Sequence, residues 1–389
     1  MSQLLESRWS ETKDALLEGL QGNKRTVMAT TLENTRKYLA ESATAGATSA
    51  GNVATLNRVI LPVIRRVMPT VIANELVGVQ PMTGPVGQIH TLRVRYSDSF
   101  DSASGTDITA GEEALSPFKI AEGYSGATSD KAASTAALEG RAGNRLSIQI
   151  LKQTVEAKTR KLSARWTFEA AQDAQAQQGI DIEAEIMAAL AQEITAEIDQ
   201  EVIASLNSLA GTVLTYDQSA VSGTATFVGD EHAALAVQIN RASNLIAQRT
   251  RRGAGNYAVV SPTVLTLLQS ATTSAFARTT EGTFEAPTNT KFVGTLNSAL
   301  KVYVNGYATT DDVLIGYKGS SESDAPAFYC PYIPLMSSGV VLDPATFEPV
   351  VSFMTRYGYV ELTNTASSLG NAADYLAKVA VTSANLRFA

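Results

Sequence analysis

The chain has 389 residues, 44% of them hydrophobic and only 18% charged, with a formal net charge of −7. A chain of this length buries a sizeable core without staples and suggests two domains or one large domain with excursions. The acidic total excludes a generic, sequence-independent binder of nucleic acid, whose footprint is basic. No apolar run approaches the roughly 18 residues of a membrane span.

Residues 1–41 read as a polar helical segment, with Leu5, Trp9, Leu16 and Leu20 near helical spacing. Its six acids and six bases cancel, so the net charge resides in the rest of the chain. The opening lacks the apolar stretch of a secretory signal, which predicts a cytoplasm-like compartment. "SATAGATSAGN", 42–52, is Ser, Ala, Thr and Gly up to its final Asn. Such a stretch builds no core and reads as a flexible joint, which makes 1–41 a detachable module. In 53–78, Pro62 and Pro69 each open a short helical piece.

"GVQPMTGPVGQIHTLRVRY", 78–96, then joins a Gly/Pro elbow to an alternating strand. Leu92, Val94 and Tyr96 point one way, and Arg93 and Arg95 the other. A Ser/Ala/Gly/Thr excursion over 97–144 separates this strand from a second alternating run that begins at Leu146, Ile148 and Ile150. The pair reads as an extended two-stranded arm, which is marginal alone in water and needs a surface to lie on. Residues 179–211 form the strongest helix, about 45 Å long, with Asp181 as its cap and Gly211 at its end. Its apolar residues Ile182, Ile186, Leu190, Ile194, Ile198, Val202 and Leu206 step by four, so the stripe winds around the helix. A second amphipathic helix covers 231–252, capped by Asp230, and strand-rich segments follow from about 256 to 361. The class is α+β, with helices and strands in blocks.

The sequence offers little chemistry. No phosphate-loop or dinucleotide motif occurs, and Gly78, Gly84 and Gly87 have the wrong spacing for either. "SPFK", Ser116 to Lys119, matches SxxK without its partner motifs. His90, His232 and Cys330 are too few for a metal cluster, so no metal, cofactor or catalytic residue is expected. Cys330 reads as a buried core thiol. Glu183, Glu193, Glu197 and Glu201 read as the solvated or interface-facing side of the long helix. Arg65, Arg66, Arg93 and Arg95 read as ion-pairing residues toward a partner subunit rather than as a DNA site. A large acidic chain with a detachable leader, a long arm and a winding helix reads as a subunit whose work is association.

Four stretches carry a resemblance: "RVMPTVIANELVGVQPMTGPVGQIHTLRVRY" (66–96), "KLSARWTFEAAQDAQAQQGIDIEAEI" (161–186), "VLIGYKGSSESDAPAFYCPYIPL" (313–335) and "DPATFEPVVSFMTRYGYV" (343–360). The chain resembles the major capsid proteins of T-even-type tailed bacteriophages, which have the HK97-type shell fold. The resemblance implies a leader at 1–41, a joint and N-terminal arm at 42–85, and an extended loop at 86–165. It implies a peripheral domain from 166–229 and 311–389 with a spine helix at 181–210, and an axial domain at 230–310. It further implies hexameric capsomers that tile an icosahedral or prolate head around double-stranded DNA without specific binding. The expected partners are a vertex (pentamer) protein, scaffold, maturation protease, portal and decoration proteins, and no membrane. Assembly is expected in the host bacterial cytoplasm.

Family leaders are cut after Glu in a Leu/Ile-x-Glu context. Leu39-Ala40-Glu41 before Ser42 is similar to that site, with Ser in place of the commoner Ala or Gly, and Leu16-Leu17-Glu18 before Gly19 is a second match. The excursion 97–144 is too short and too poor in large apolar residues for the family's insertion domain, which predicts a plain or slightly elaborated loop. An encapsulin-type compartment and a vertex paralogue share the implied fold, and a hydrolase using Ser116 is the distant enzymatic alternative.

Overall fold

The computed structural model describes residues 9, 13–14, 16–17, 20–44, 72–101, 107–114, 124–126, 134–140, 143–178, 181–217, 228–250, 252–270, 276–278, 291–297, 299–346, 348–363 and 371–382. Pro62, Arg65, Arg66, Pro69, Ser116, Lys119 and the joint beyond Thr44 lie outside them. In chain order the described strands are β1 (Gly78–Val79), β2 (Val86–Tyr96), β3 (Leu146–Glu156), β4 (Lys158–Arg165), β5 (Thr212–Asp217), β6 (Tyr257–Val260), β7 (Phe276–Arg278), β8 (Lys291–Leu296), β9 (Leu300–Val304), β10 (Asp312–Gly316), β11 (Ala327–Ser337), β12 (Val341–Leu342), β13 (Pro349–Glu361) and β14 (Leu376–Thr382).

The chain divides into two compact units. The first comprises Met1–Gly87, Val155–Ser205 and Ala327–Val360. Its sheet runs β1-β11-β13-β12, with β4 also paired to β13. Strand β13 shows why: Val351, Phe353, Thr355 and Tyr357 are buried and alternate with half-buried Val350, Ser352, Met354 and Arg356, the period of a strand with one covered face. The helix Ile182–Leu209 opens as expected, with Asp181 Oδ1 accepting Glu183 N–H at 3.1 Å. Apart from Ala196, its buried positions form two rows stepping by four: Met187, Ala191, Thr195, Asp199, Ile203, and Leu190, Ile194, Ile198, Val202, Leu206. Each step of four advances the face by about 40°, so the buried face turns along the helix. Ile182 and Ile186, the first two residues of the expected stripe, are only half-buried.

The second unit comprises Gln88–Thr154, Leu206–Pro326 and Glu361–Ala389. Its sheet has the order β5-β14-β10-β6-β9-β8-β7. Val260, Val302, Val304, Val313, Ile315, Ala377 and Val379 share a core with Leu235, Ile239, Ala242 and Ile246 of helix Val228–Thr250 and with Val264, Leu267 and Leu268 of helix Pro262–Ser270. Helix Val228–Thr250 starts earlier than expected, so Asp230 lies in its first turn rather than before it.

The boundary expected at 310–311 runs through one sheet of the second unit. β10 and β14 fall in the stretch assigned to a peripheral domain, and β6 and β9 in the axial stretch, yet β10 pairs with both β14 and β6 in one sheet. The boundary at 310–311 is what the resemblance implies, and a resemblance along the chain does not report which strands hydrogen-bond. Similarly β4, assigned to the extended loop of 86–165, is a strand of the first unit, paired with β13 from Lys158↔Tyr357 to Arg165↔Val350.

Gly211 follows the long helix for a different reason than helix termination. Its φ is not positive. A Cβ there would stand 2.8 Å from Ala373 O and 2.9 Å from Ala373 Cβ, so only glycine allows that approach. Gly211→Ala is expected to cost about 1–3 kcal/mol through overpacking against backbone. Denaturant unfolding checks this as a lower midpoint at unchanged slope.

Candidate functional site

The elbow read from the glycines and prolines is a transition from sheet to ribbon. Gly78 and Val79 pair in parallel with Phe328 and Tyr329 of β11. Gln80 N–H and Met82 N–H extend the ladder to Tyr329 O and Pro331 O at 3.1 and 3.0 Å. The chain then turns at Thr83–Pro85 and enters β2, which pairs with β3 in a two-stranded ribbon. Ser97 N–H donates to Arg145 O at one end, and Ala157 N–H to Pro85 O at the other. These end bonds give an antiparallel register that sets Leu92 opposite Ile150 and Val94 opposite Ile148, all on one face.

That face is the ribbon's open one. Val86, Leu92, Leu146, Ile148 and Ile150 are each between 54% and 68% exposed. Arg93 and Arg95 are buried instead, which reverses the sidedness expected from alternation. The cause lies in the excursion. Its residues 111–114 run along β2, with Tyr96 N–H to Glu112 O at 2.9 Å, Gly111 N–H to Tyr96 O at 2.8 Å and Ala114 N–H to Val94 O at 2.8 Å. Glu113 reaches Arg93, with Nη1 2.8 Å from Oε2 and the arginine side chain 5% exposed. A small aromatic cluster closes the ribbon's end. The Tyr124 ring lies 4.5 Å from Tyr96 and 6.4 Å from Phe100, and its hydroxyl donates to Arg145 O at 2.7 Å. No spacing in the sequence links Glu113 to Arg93, so this pair was not foreseen.

A second cluster holds the long helix to the first unit's sheet. Arg160 of β4 pairs with Glu201 through Nη2 and Oε2 at 2.6 Å, and its Nη1 also pairs with Glu197. Its Nε donates to Tyr357 Oη, and the Tyr357 hydroxyl donates to Glu201. Burial raises the Glu201 carboxyl, but the hydrogen bonds from Tyr357 and Arg160 outweigh it and hold it below the ordinary range. Glu197 and Glu201, one helical turn apart, thus serve an interface within the chain. Asp199 points into the core, 1% exposed, and its Oδ1 accepts Ile72 N–H at 2.9 Å at the start of helix Ala73–Leu76. Burial pushes this carboxyl up to about 7, against the lowering effect of that hydrogen bond.

The remaining candidates stand apart. Cys330 is buried, and burial raises its thiol to about 11, an inert state. His90 lies exposed on β2, whereas His232 is buried with Nδ1 against Ser270 Oγ. Leu39, Glu41 and Ser42 lie in the last turns of helix Asn23–Thr44, which continues three residues into the Ser/Ala/Gly stretch. Among the described residues no group of three His, Cys, Asp or Glu is placed to hold a metal ion, and no helix is long and apolar enough to cross a membrane.

The described residues thus hold two sheet-centred units and a ribbon with an open apolar face. Residues 53–381 match the family described as Major capsid protein Gp23, and the chain belongs to that family. It is 30% identical to the major capsid protein of Vibrio phage KVP40, over 85% of this chain and 82% of that protein. It is 29% identical to the major capsid protein of Enterobacteria phage T4, over 82% and 78%. Among solved structures, the capsid of Myoviridae Phage XM1 aligns over 80% of this chain and 92% of that one, with TM-score 0.45 and 10% identity. A chain of Microbacterium phage Oxtober96 aligns over 79% and 90%, with TM-score 0.47 and 11% identity. The fold is α+β, and the chain's place is the phage head shell.

Asp199 gives a pH signature. Its folded value of about 7 lies above the ordinary 3.8, so the native state favours the protonated form. That contribution to stability is complete below about pH 4 and is lost as pH rises toward 7. Asp199→Asn should remove this decline and leave the variant more stable than wild type at pH 8. Denaturation midpoints of both proteins at pH 5 and pH 8 check it.

Proposed function

We propose that this chain self-assembles into hexameric capsomers and that these tile an icosahedral or prolate head enclosing double-stranded DNA. The observation that carries the reading is the family match over 53–381, joined to a ribbon whose apolar face is open in the single subunit. The ribbon lies over an adjacent subunit and buries Leu92, Ile148 and Ile150 there. Arg93 and Arg95 contribute to that contact by holding Glu113 and the ribbon's edge in place. The first unit serves as the peripheral domain and the seven-stranded sheet of the second as the axial domain. The acidic balance leaves packaged DNA free to move within the shell. Vertex, scaffold and portal proteins complete the head during assembly in the host cytoplasm.

The family match begins at residue 53, directly after the Ser/Ala/Gly stretch. This supports a leader that guides assembly and is then removed by a maturation protease between Glu41 and Ser42. A helical cut site opens locally to fit a protease cleft, and Ser42 and Thr44 hold the helix end weakly.

Electron microscopy of the expressed chain tests the assembly reading: shells, tubes or hexameric rings are expected, and monomers alone at high concentration overturn it. Ile148→Ser with Ile150→Ser should leave the subunit folded by circular dichroism but abolish those assemblies. Mass spectrometry of mature particles should find new N-termini at Ser42, and Met1 peptides at full abundance would refute leader removal.

A further inference from the structure

The leader is built into the first unit. Helix Asn23–Thr44 lies along β11 and buries Val27, Met28, Thr31, Leu32, Asn34 and Thr35. Asn34 is the specific element. Its Nδ2 donates to Met82 O at 2.6 Å and to Tyr332 O at 2.9 Å. Met82 N–H makes the last bond of the ladder that continues β1 along β11, so these two carbonyls stand where strand pairing runs out. One amide group supplies both donors, and only a carboxamide side chain of this length does so without charge. The hydroxyls of Thr31 and Thr35 are satisfied within the helix, by Met28 O and Thr31 O, and make no demand on the groove. At the other end Asn23 Nδ2 reaches Val79 O at 3.4 Å and Lys24 pairs with Glu75 at 3.2 Å.

The segment before this helix folds back on it. Trp9 Nε1 donates to Glu33 Oε2 at 3.3 Å, and Lys13 Nζ lies 3.6 Å from the same oxygen. Leu16 and Leu17, which precede the second candidate cut after Glu18, are buried.

We propose that β11 and the segment Gly78–Met82 form a docking groove for the leader helix, keyed by Asn34, and that the leader stays in this groove after the chain is cut behind it. Cleavage and release are then separate events. The groove is an interaction surface reserved by the leader until it leaves. Strand alternation gives a reporter of that departure. Tyr329 packs on Tyr357, ring centroids 5.3 Å apart, on the side of the long helix. Phe328 and Cys330, both buried, face the other way, and in this proposal the leader helix, which runs along β11, is what covers them. The groove holds whether or not the native protease cuts at Glu41. Absence of native cleavage therefore refutes leader removal and leaves the groove standing.

The test inserts a sequence-specific protease site between Ala45 and Gly51 of the full chain and cuts the folded protein. The cut leader should co-elute with the remainder in gel filtration. Cys330 should react with a soluble thiol reagent at least ten times more slowly than in urea-unfolded chain. Asn34→Ala should weaken retention roughly ten- to hundredfold, the cost of orphaning two buried acceptors, so that its cut leader separates and Cys330 labelling accelerates. Excess synthetic peptide of residues 20–44 should restore protection in that cut variant. A wild-type leader that separates on cutting overturns the groove, and that arm stands even if Asn34→Ala fails to fold. Retention and protection unchanged in a folded Asn34→Ala overturn Asn34 as the key.

Discussion

Arg160 lies where three elements of the first unit meet. It projects from β4, takes Glu197 and Glu201 from successive turns of the long helix, and shares Glu201 with Tyr357 of β13. A guanidinium is suited to this because its planar fork donates along several fixed directions at once. The cluster fixes the rotation of the helix on the sheet. That rotation turns Asp199 inward to the backbone of Ile72, and the same turn of helix presents Ile198 and Val202 to the core. The apolar rows supply most of the free energy, since buried apolar area outweighs partly exposed ion pairs. The charges choose among the rotations that such rows would tolerate.

The two ends of the arm show opposite uses of the same strand chemistry. At Gly78–Met82 the chain is satisfied on its own sheet, and helix Asn23–Thr44 completes the polar groups that pairing leaves over. In the ribbon beyond Val86 the backbone is paired but the side chains of one face are not covered. A two-stranded ribbon gains little from its own pairing, and the short ladder at 111–114 with the Tyr96–Phe100–Tyr124 cluster stiffens it from one end only. A subunit with such a ribbon is folded but incomplete, which is the condition for assembly.

Several features were legible before the structure. The long helix, its Asp181 cap and the four-residue step of its buried rows follow from local periodicity, and so do the two ribbon strands. Other features were not. Arg93 and Arg95 read as ion-pairing residues toward a partner subunit, but both are buried in this subunit, and Glu113, 20 residues along the chain, is the partner that makes the burial of Arg93 tolerable. Gly211 was read as a helix end, whereas its lack of a side chain answers to Ala373, distant in sequence. The domain boundary near residue 310 cut through a sheet because β10 is held by partners from both sides of it.

The sequence by itself determined the α+β class, the family through its long motifs, the acidic character and a polar helical segment before a small-residue joint. These depend on composition, local period and residue identity, which are read along the chain. Only the tertiary structure decided which face of the ribbon is open, which carboxylates meet Arg160, and that helix Asn23–Thr44 reaches Met82 and Tyr332 through Asn34. Each of these depends on two or more segments far apart in sequence satisfying one another's hydrogen bonds and excluding water together. No local pattern carries that information.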